Sequence, residues 1–233
     1  MLMNKPLKKL TSILFLISII YLATGCDSNV LNPSADNFSL SIATPTVLAK
    51  SSVDSLTFTS VKLLIRDIKF EQEGTNGEES ELKVGPFVVN LDLTGITNTV
   101  TVMNIPSGTY DEIVFKIHKA DENETPPDPE FKEGNNSDQR YSVIVKGTFN
   151  GNPFEYKSKK SAEQKIKLTA PVVIDASKSI NLTLEVDPSK WFDNNGSILN
   201  PSDSSNANII DGLIHDSFKN VFEDDDKDGN PDD

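Results

Sequence analysis

Phe87, Val89, Leu91 and Leu93 are apolar at every second position, and the same period recurs along most of the chain. Side chains of an extended strand alternate between two faces, so a period of two marks strands with one buried face. Ser39 to Thr44, Leu56 to Glu71, Pro86 to Leu93, Thr99 to Ile105 and Tyr110 to His118 carry it first. Tyr141 to Phe149, Phe154 to Ser158, Gln164 to Leu168, Val172 to Asp175 and Ile180 to Val186 carry it again. In Leu56 to Glu71 the row Val61, Leu63, Ile65 slips by one residue at Arg66-Asp67 and resumes at Ile68 and Phe70. Such a slip predicts a β-bulge. Asn150-Gly151 predicts a tight hairpin, because both turn positions need positive φ. Nine or ten short strands with almost no helical period predict an all-β chain folded as an antiparallel β-sandwich over 38–192.

Two polar stretches interrupt the pattern, Gln72 to Glu81 and the acidic, proline-bearing Lys119 to Arg140. Loops of the second length are functional or disordered. Residues 193–208 are rich in Asn, Ser and Asp and read as a linker. Over 209–222, Ile209, Ile210, Leu213, Ile214, Phe218, Val221 and Phe222 recur at helical spacing and predict an amphipathic helix braced on the sandwich. An acidic tail, 223–233, follows.

The opening stretch predicts the compartment. Lys5, Lys8 and Lys9 precede fourteen residues, Leu10 to Ala23, interrupted only by Ser and Thr. A basic head and a short apolar run make a secretory signal, and the run is shorter than the roughly 20 residues a spanning helix needs. Cys26 is the only cysteine, so no disulfide is available to it within the chain. Leu22-Ala-Thr-Gly-Cys26 resembles the lipobox of bacterial lipoproteins, with the leucine one residue further from the cysteine than usual. The resemblance implies removal of 1–25, acylation of Cys26 with palmitate or a similar chain, and 26–37 as a tether from the membrane.

Charge narrows the partners. Loss of Lys5, Lys8 and Lys9 leaves 19 of 22 basic residues against 35 acidic ones, a net charge near -16. Nucleic acid is excluded as an expected partner, since its binding rests on phosphate neutralisation by Lys and Arg. Membrane contact is expected through the lipid alone. The Ile-Pro-Ser-Gly-Thr-Tyr-Asp-Glu-Ile-Val-Phe segment ending at Phe115, with the early Ser-Leu-Ser-Ile strand, is similar to a poorly characterised family of bacterial envelope lipoproteins. That resemblance spans about 38–187 and implies an immunoglobulin- or transthyretin-like sandwich at the cell envelope, with no site residues.

Chemistry-bearing patterns are few. Asp224, Asp226 and Asp228 followed by Gly229 resemble the opening of an EF-hand-like calcium loop, with Asn230 at the seventh position and Asp232 at the ninth. Alternate oxygen ligands on a turning backbone suit a hard cation such as Ca²⁺. The sequence stops at Asp233, before the twelfth-position acid, so the expectation is weak binding or a ligand from elsewhere in the fold. His118 and His215, the only histidines, lack the spacing of a zinc site and read as surface residues. No Gly-x-Ser-x-Gly elbow, P-loop or dinucleotide fingerprint occurs. Trp191-Phe192 with Tyr110, Tyr141 and Tyr156 could form a sugar platform, although strands more often bury such residues. The pattern as a whole predicts a non-enzymatic, lipid-anchored module, calcium-modulated, that recognises a protein or glycan. The alternatives are a polysaccharide hydrolase with a carboxylate pair such as Asp111-Glu112, and an accessory subunit of a surface complex.

Overall fold

The computed structural model describes residues 36–45, 56–72, 85–175, 177–218 and 220–232. The signal, Cys26, most of the tether and most of the Gln72–Glu81 stretch lie outside the described residues. Among the described residues no helix is long and apolar enough to cross a membrane.

The strands in chain order are β1 (Phe38–Ala43), β2 (Leu56–Gln72), β3 (Phe87–Asn90), β4 (Asn98–Met103) and β5 (Gly108–Ile117). They continue with β6 (Val143–Phe149), β7 (Asn152–Ser158), β8 (Ala162–Ile174) and β9 (Ile180–Glu185). A two-residue pair, β10 (Asp193–Asn194) and β11 (Ser197–Ile198), precedes helix α1 (Ala207–Asp216) and strand β12 (Asn220–Glu223). One sheet has the order β12-β9-β1-β4 and the other β7-β6-β2-β5-β8, with β3 also paired to β2. A single core joins them, built from Leu40 and Ile42 of β1, Leu182 and Leu184 of β9, and Leu63, Ile65, Ile113 and Phe115 of the larger sheet. The described residues form a β-sandwich with one short α-helix.

Local chemistry explains the frame. The β2–β5 register shifts between Ile65 and Asp67, where the apolar row slips, so Ile65 and Ile68 both stay in the core. Asn150 and Gly151 have φ of 49° and 79° and close the β6–β7 hairpin. Gln164 to Leu168 and Val172 to Asp175 merge into β8, whose Pro171 is tolerated because β8 is an edge strand. One pairing departs from the antiparallel expectation: β1 and β9 run parallel, Phe38 opposite Ile180 through Ala43 opposite Glu185. A parallel pair needs a long connection, and the seven strands between β1 and β9 supply it.

The region after Trp191 differs most from the sequence expectation. The predicted helix over 209–222 ends at Asp216, and Val221 pairs with Leu184 as part of β12. The open edge of β9 offers backbone partners that a continued helix would leave unpaired. The sandwich therefore does not stop at 192; β12 is one of its strands. The expected linker 193–208 holds the β10–β11 pair and a 3-10 turn at Ser204–Asn206. Trp191 and Phe192 are fully buried, and Tyr110, Tyr141 and Tyr156 are at most 6% exposed. The aromatic set is therefore core and offers no sugar platform. Trp191 packs on Phe218 and donates its indole N–H to Ser217 Oγ at 2.7 Å.

The Lys119–Arg140 stretch is an ordered cover on the outer face of the larger sheet. Its Phe131 is fully buried in a small second core with Leu64, Ala120, Tyr141 and Ile144. Around this plug, Lys62 Nζ lies 2.6 Å from Asp128 and 3.3 Å from Glu130, and Lys146 lies 3.1 Å from Glu130. Lys157 pairs with Glu133 at 2.6 Å and Arg66 with Asp121 at 2.5 Å.

Candidate functional site

The outer face of the smaller sheet carries the residues that the aspartate pattern singled out. Strand alternation places Phe38, Leu40 and Ile42 of β1 inward and Ser39 and Ser41 outward; β9 likewise turns Asn181 and Thr183 outward. These four polar side chains are nonetheless at most 5% exposed. What covers them is the chain after β12, which turns back over the sheet.

The turn is built on Asp224, itself fully buried. Its backbone N–H donates to Asn181 O at 3.0 Å, extending the β12–β9 ladder by one residue. Its carboxylate accepts from Thr183 Oγ1 at 2.6 Å, from the Asp228 N–H at 3.0 Å and from the Gly229 N–H at 3.2 Å. Lys227 and Gly229 have φ of 60° and 86°, the left-handed conformation that glycine adopts without steric cost. The loop closes where the Asp232 N–H donates to Glu223 O at 2.9 Å and the Asp225 N–H to Asp232 Oδ2 at 2.7 Å.

Beneath the loop the polar side chains form one network. Ser39 and Ser41 both donate to Asn181 Oδ1, at 2.7 and 2.8 Å. Asn181 Nδ2 donates to Thr183 Oγ1 at 3.0 Å and to Asp224 O at 2.7 Å. Every one of these groups is satisfied, which is what makes their burial affordable. At the rim Asp225 accepts from the Asn181 N–H at 2.9 Å and pairs with Lys178 at 3.2 Å, while Lys227 Nζ donates to Thr99 Oγ1 at 3.2 Å.

Three of the four expected carboxylate ligands converge. Asp224, Asp226 and Asp232 each present a carboxylate oxygen within 4.8 Å of the others. Two oxygens bound to one Ca²⁺ at its usual distances lie at most about 5.2 Å apart, so the spacing suits such an ion. The donor set is all carboxylate oxygen, which suits a hard cation rather than zinc or copper. Asp228 does not join the group: its Oδ1 accepts from the Asn230 N–H at 2.7 Å and from Asn230 Nδ2 at 3.0 Å. Sequence reasoning missed Asn181 and Thr183, the floor of this site. The available signal was that Ser39, Ser41, Asn181 and Thr183 are uncharged, whereas the outward row of β8 is Glu163, Lys165 and Lys167.

The fold and this loop define a sandwich whose two outer faces are both covered by folded-back chain. Residues 31–201 match a family model described as Domain of unknown function (DUF4382), and the chain belongs to that family. Neither the curated proteins nor the solved structures yield a match to this chain.

Proposed function

We propose that the protein is a non-catalytic module of the bacterial envelope, anchored by lipid on Cys26, whose carboxy-terminal loop is organised by calcium. The sandwich meets a protein or glycan partner, and the anchor and tether hold it at the membrane surface. The observation that supports the calcium part is the convergence of Asp224, Asp226 and Asp232 above a fully satisfied buried network. Three carboxylates this close repel one another, and a divalent cation would offset that repulsion and lock the loop onto the sheet.

Calorimetric titration of the chain with CaCl₂, beside an Asp226→Asn/Asp232→Asn double variant, tests this. Both side chains are exposed, so the variant leaves the buried network intact. Saturable heat and a raised melting temperature in the parent, absent from the variant, are expected. Equal responses in the two proteins, or none in either, would refute the calcium reading. The anchor is tested separately by labelling cells with radioactive palmitate, where Cys26→Ser should abolish incorporation.

A further inference from the structure

Gly212 sits inside α1, where a glycine weakens a helix relative to alanine. No packing contact requires it, because a Cβ built there would meet nothing within 4 Å. The open space beside it is a cleft of about 210 Å³ between α1, the chain at 158–162 and the ends of β5 and β6.

The cleft has a distinct chemistry. Asp211 lines it with a side chain only 9% exposed. Its Oδ1 is occupied, accepting from Tyr156 Oη and Ser158 Oγ, both at 2.7 Å. Among the described residues Oδ2 has only Lys160 Nζ nearby, at 4.0 Å, beyond hydrogen-bonding distance. That oxygen opens onto the cleft, where a hydroxyl could donate to it. Lys160, Ser161 and His215 add polar groups, and Ile117, Val143 and Ile214 supply an apolar wall.

We propose that this cleft is a binding subsite for a single neutral polyhydroxylated unit, one sugar ring of a glycan. Asp211 and Lys160 carry opposite charges 4.0 Å apart, so the pair presents no net charge and a neutral ligand suits the cleft. Hydroxyl hydrogens serve Asp211 Oδ2, hydroxyl oxygens take the Lys160 ammonium, and the C–H face of the ring lies on the apolar wall. The volume is below the roughly 300 Å³ where drug-sized sites begin, which limits the occupant to one ring. The absence of a side chain at Gly212 keeps the space open. This names the glycan as the partner of the module proposed above, but depends on neither lipid nor calcium.

The test is a titration of the ¹⁵N-labelled full-length chain in EDTA with glucose, galactose and N-acetylglucosamine, with methylammonium and acetate as charged probes. Saturable amide shifts confined to 158–162 and 211–215 are expected with at least one sugar. Gly212→Leu fills the cleft while favouring the helix, and Asp211→Asn keeps the Oδ1 acceptor but replaces Oδ2. Each should weaken sugar binding by about tenfold or more, with the melting temperature of Gly212→Leu not lowered. No saturable shift with any of the three sugars overturns the proposal. So does undiminished binding by Gly212→Leu, or a stronger response to either charged probe.

Discussion

The two outer faces of the sandwich are both covered, but by opposite chemistry. Over the larger sheet, residues 119–140 are held by one buried aromatic, Phe131, and a ring of ion pairs that reach solvent. Over the smaller sheet, residues 224–232 are held by a buried carboxylate and four buried polar side chains, with charges only at the rim. Peeling the first cover away would expose Phe131 and return its lysines to water, but would leave the strand pairings of the sheet in place. The second cannot leave without stranding Ser39, Ser41, Asn181 and Thr183 with a broken network, or rehydrating all of them together. One is a lid glued by a plug and tuned by charge; the other is part of the sheet's own bonding.

The sharpest way to break this contrast is Asp224→Ala. It removes the acceptor for Thr183 Oγ1 and two loop N–H groups, so global stability in urea should fall by about 3–5 kcal/mol. A loss under about 1 kcal/mol would mean that the loop is not integral to the sheet. Phe131→Ala should cost about 3 kcal/mol, but locally. Hydrogen exchange should accelerate at the Tyr141 amide, which donates to Phe131 O at 2.9 Å, while amides of β1 and β9 keep their protection. Uniform loss of protection would make the lid as integral as the loop.

Acid should separate the two covers further. Hydrogen bonds from Lys62 hold Asp128 below its ordinary value of 3.8, and those from Lys146 and Lys62 hold Glu130 below 4.5. Asp121 is likewise lowered by Arg66, and Glu133 by Lys157. A carboxylate with a depressed folded value contributes stability that is complete above its unfolded value and is lost as pH falls through the folded one. Protection factors at Phe131 and Tyr141, corrected for the intrinsic pH dependence of exchange, should therefore be constant from pH 7 to about 5 and fall below about 4. Invariance down to pH 3 would show that the plug alone holds the lid. The smallest effect is expected from Lys146→Ala. The Lys146 side chain is 35% exposed and that of Glu130 is 40% exposed, so the loss should stay below about 1 kcal/mol and shrink further in high salt.

How much of this was legible in the sequence depends on whether the governing interactions are local. Alternation is a local record of burial, so β3, β5, β6 and β9 stand close to where the sequence places them. The Arg66-Asp67 slip and Asn150-Gly151 carry their own geometry and are likewise readable. The misreading of 209–222 has a specific source. Phe218, Val221 and Phe222 fit a helix and a strand equally well over so short a run, and the free edge of β9, some forty residues away, decides between them. The aspartate pattern located the candidate site, but only the turn at Lys227 and Gly229 selects Asp232 over Asp228 as the third carboxylate.

The sequence by itself determined the all-β class, most of the strands and the hairpin, because backbone alternation and positive-φ turns are properties of neighbouring residues. It also set the lipobox resemblance and the acidic charge, which are matters of composition and order. Only the tertiary structure decided that β1 and β9 run parallel, that β12 completes the smaller sheet, and that Asp224 is buried on Asn181 and Thr183. Those outcomes rest on pairing between residues 35 to 142 apart, where unpaired backbone and buried polar groups choose their partners by what the fold leaves open.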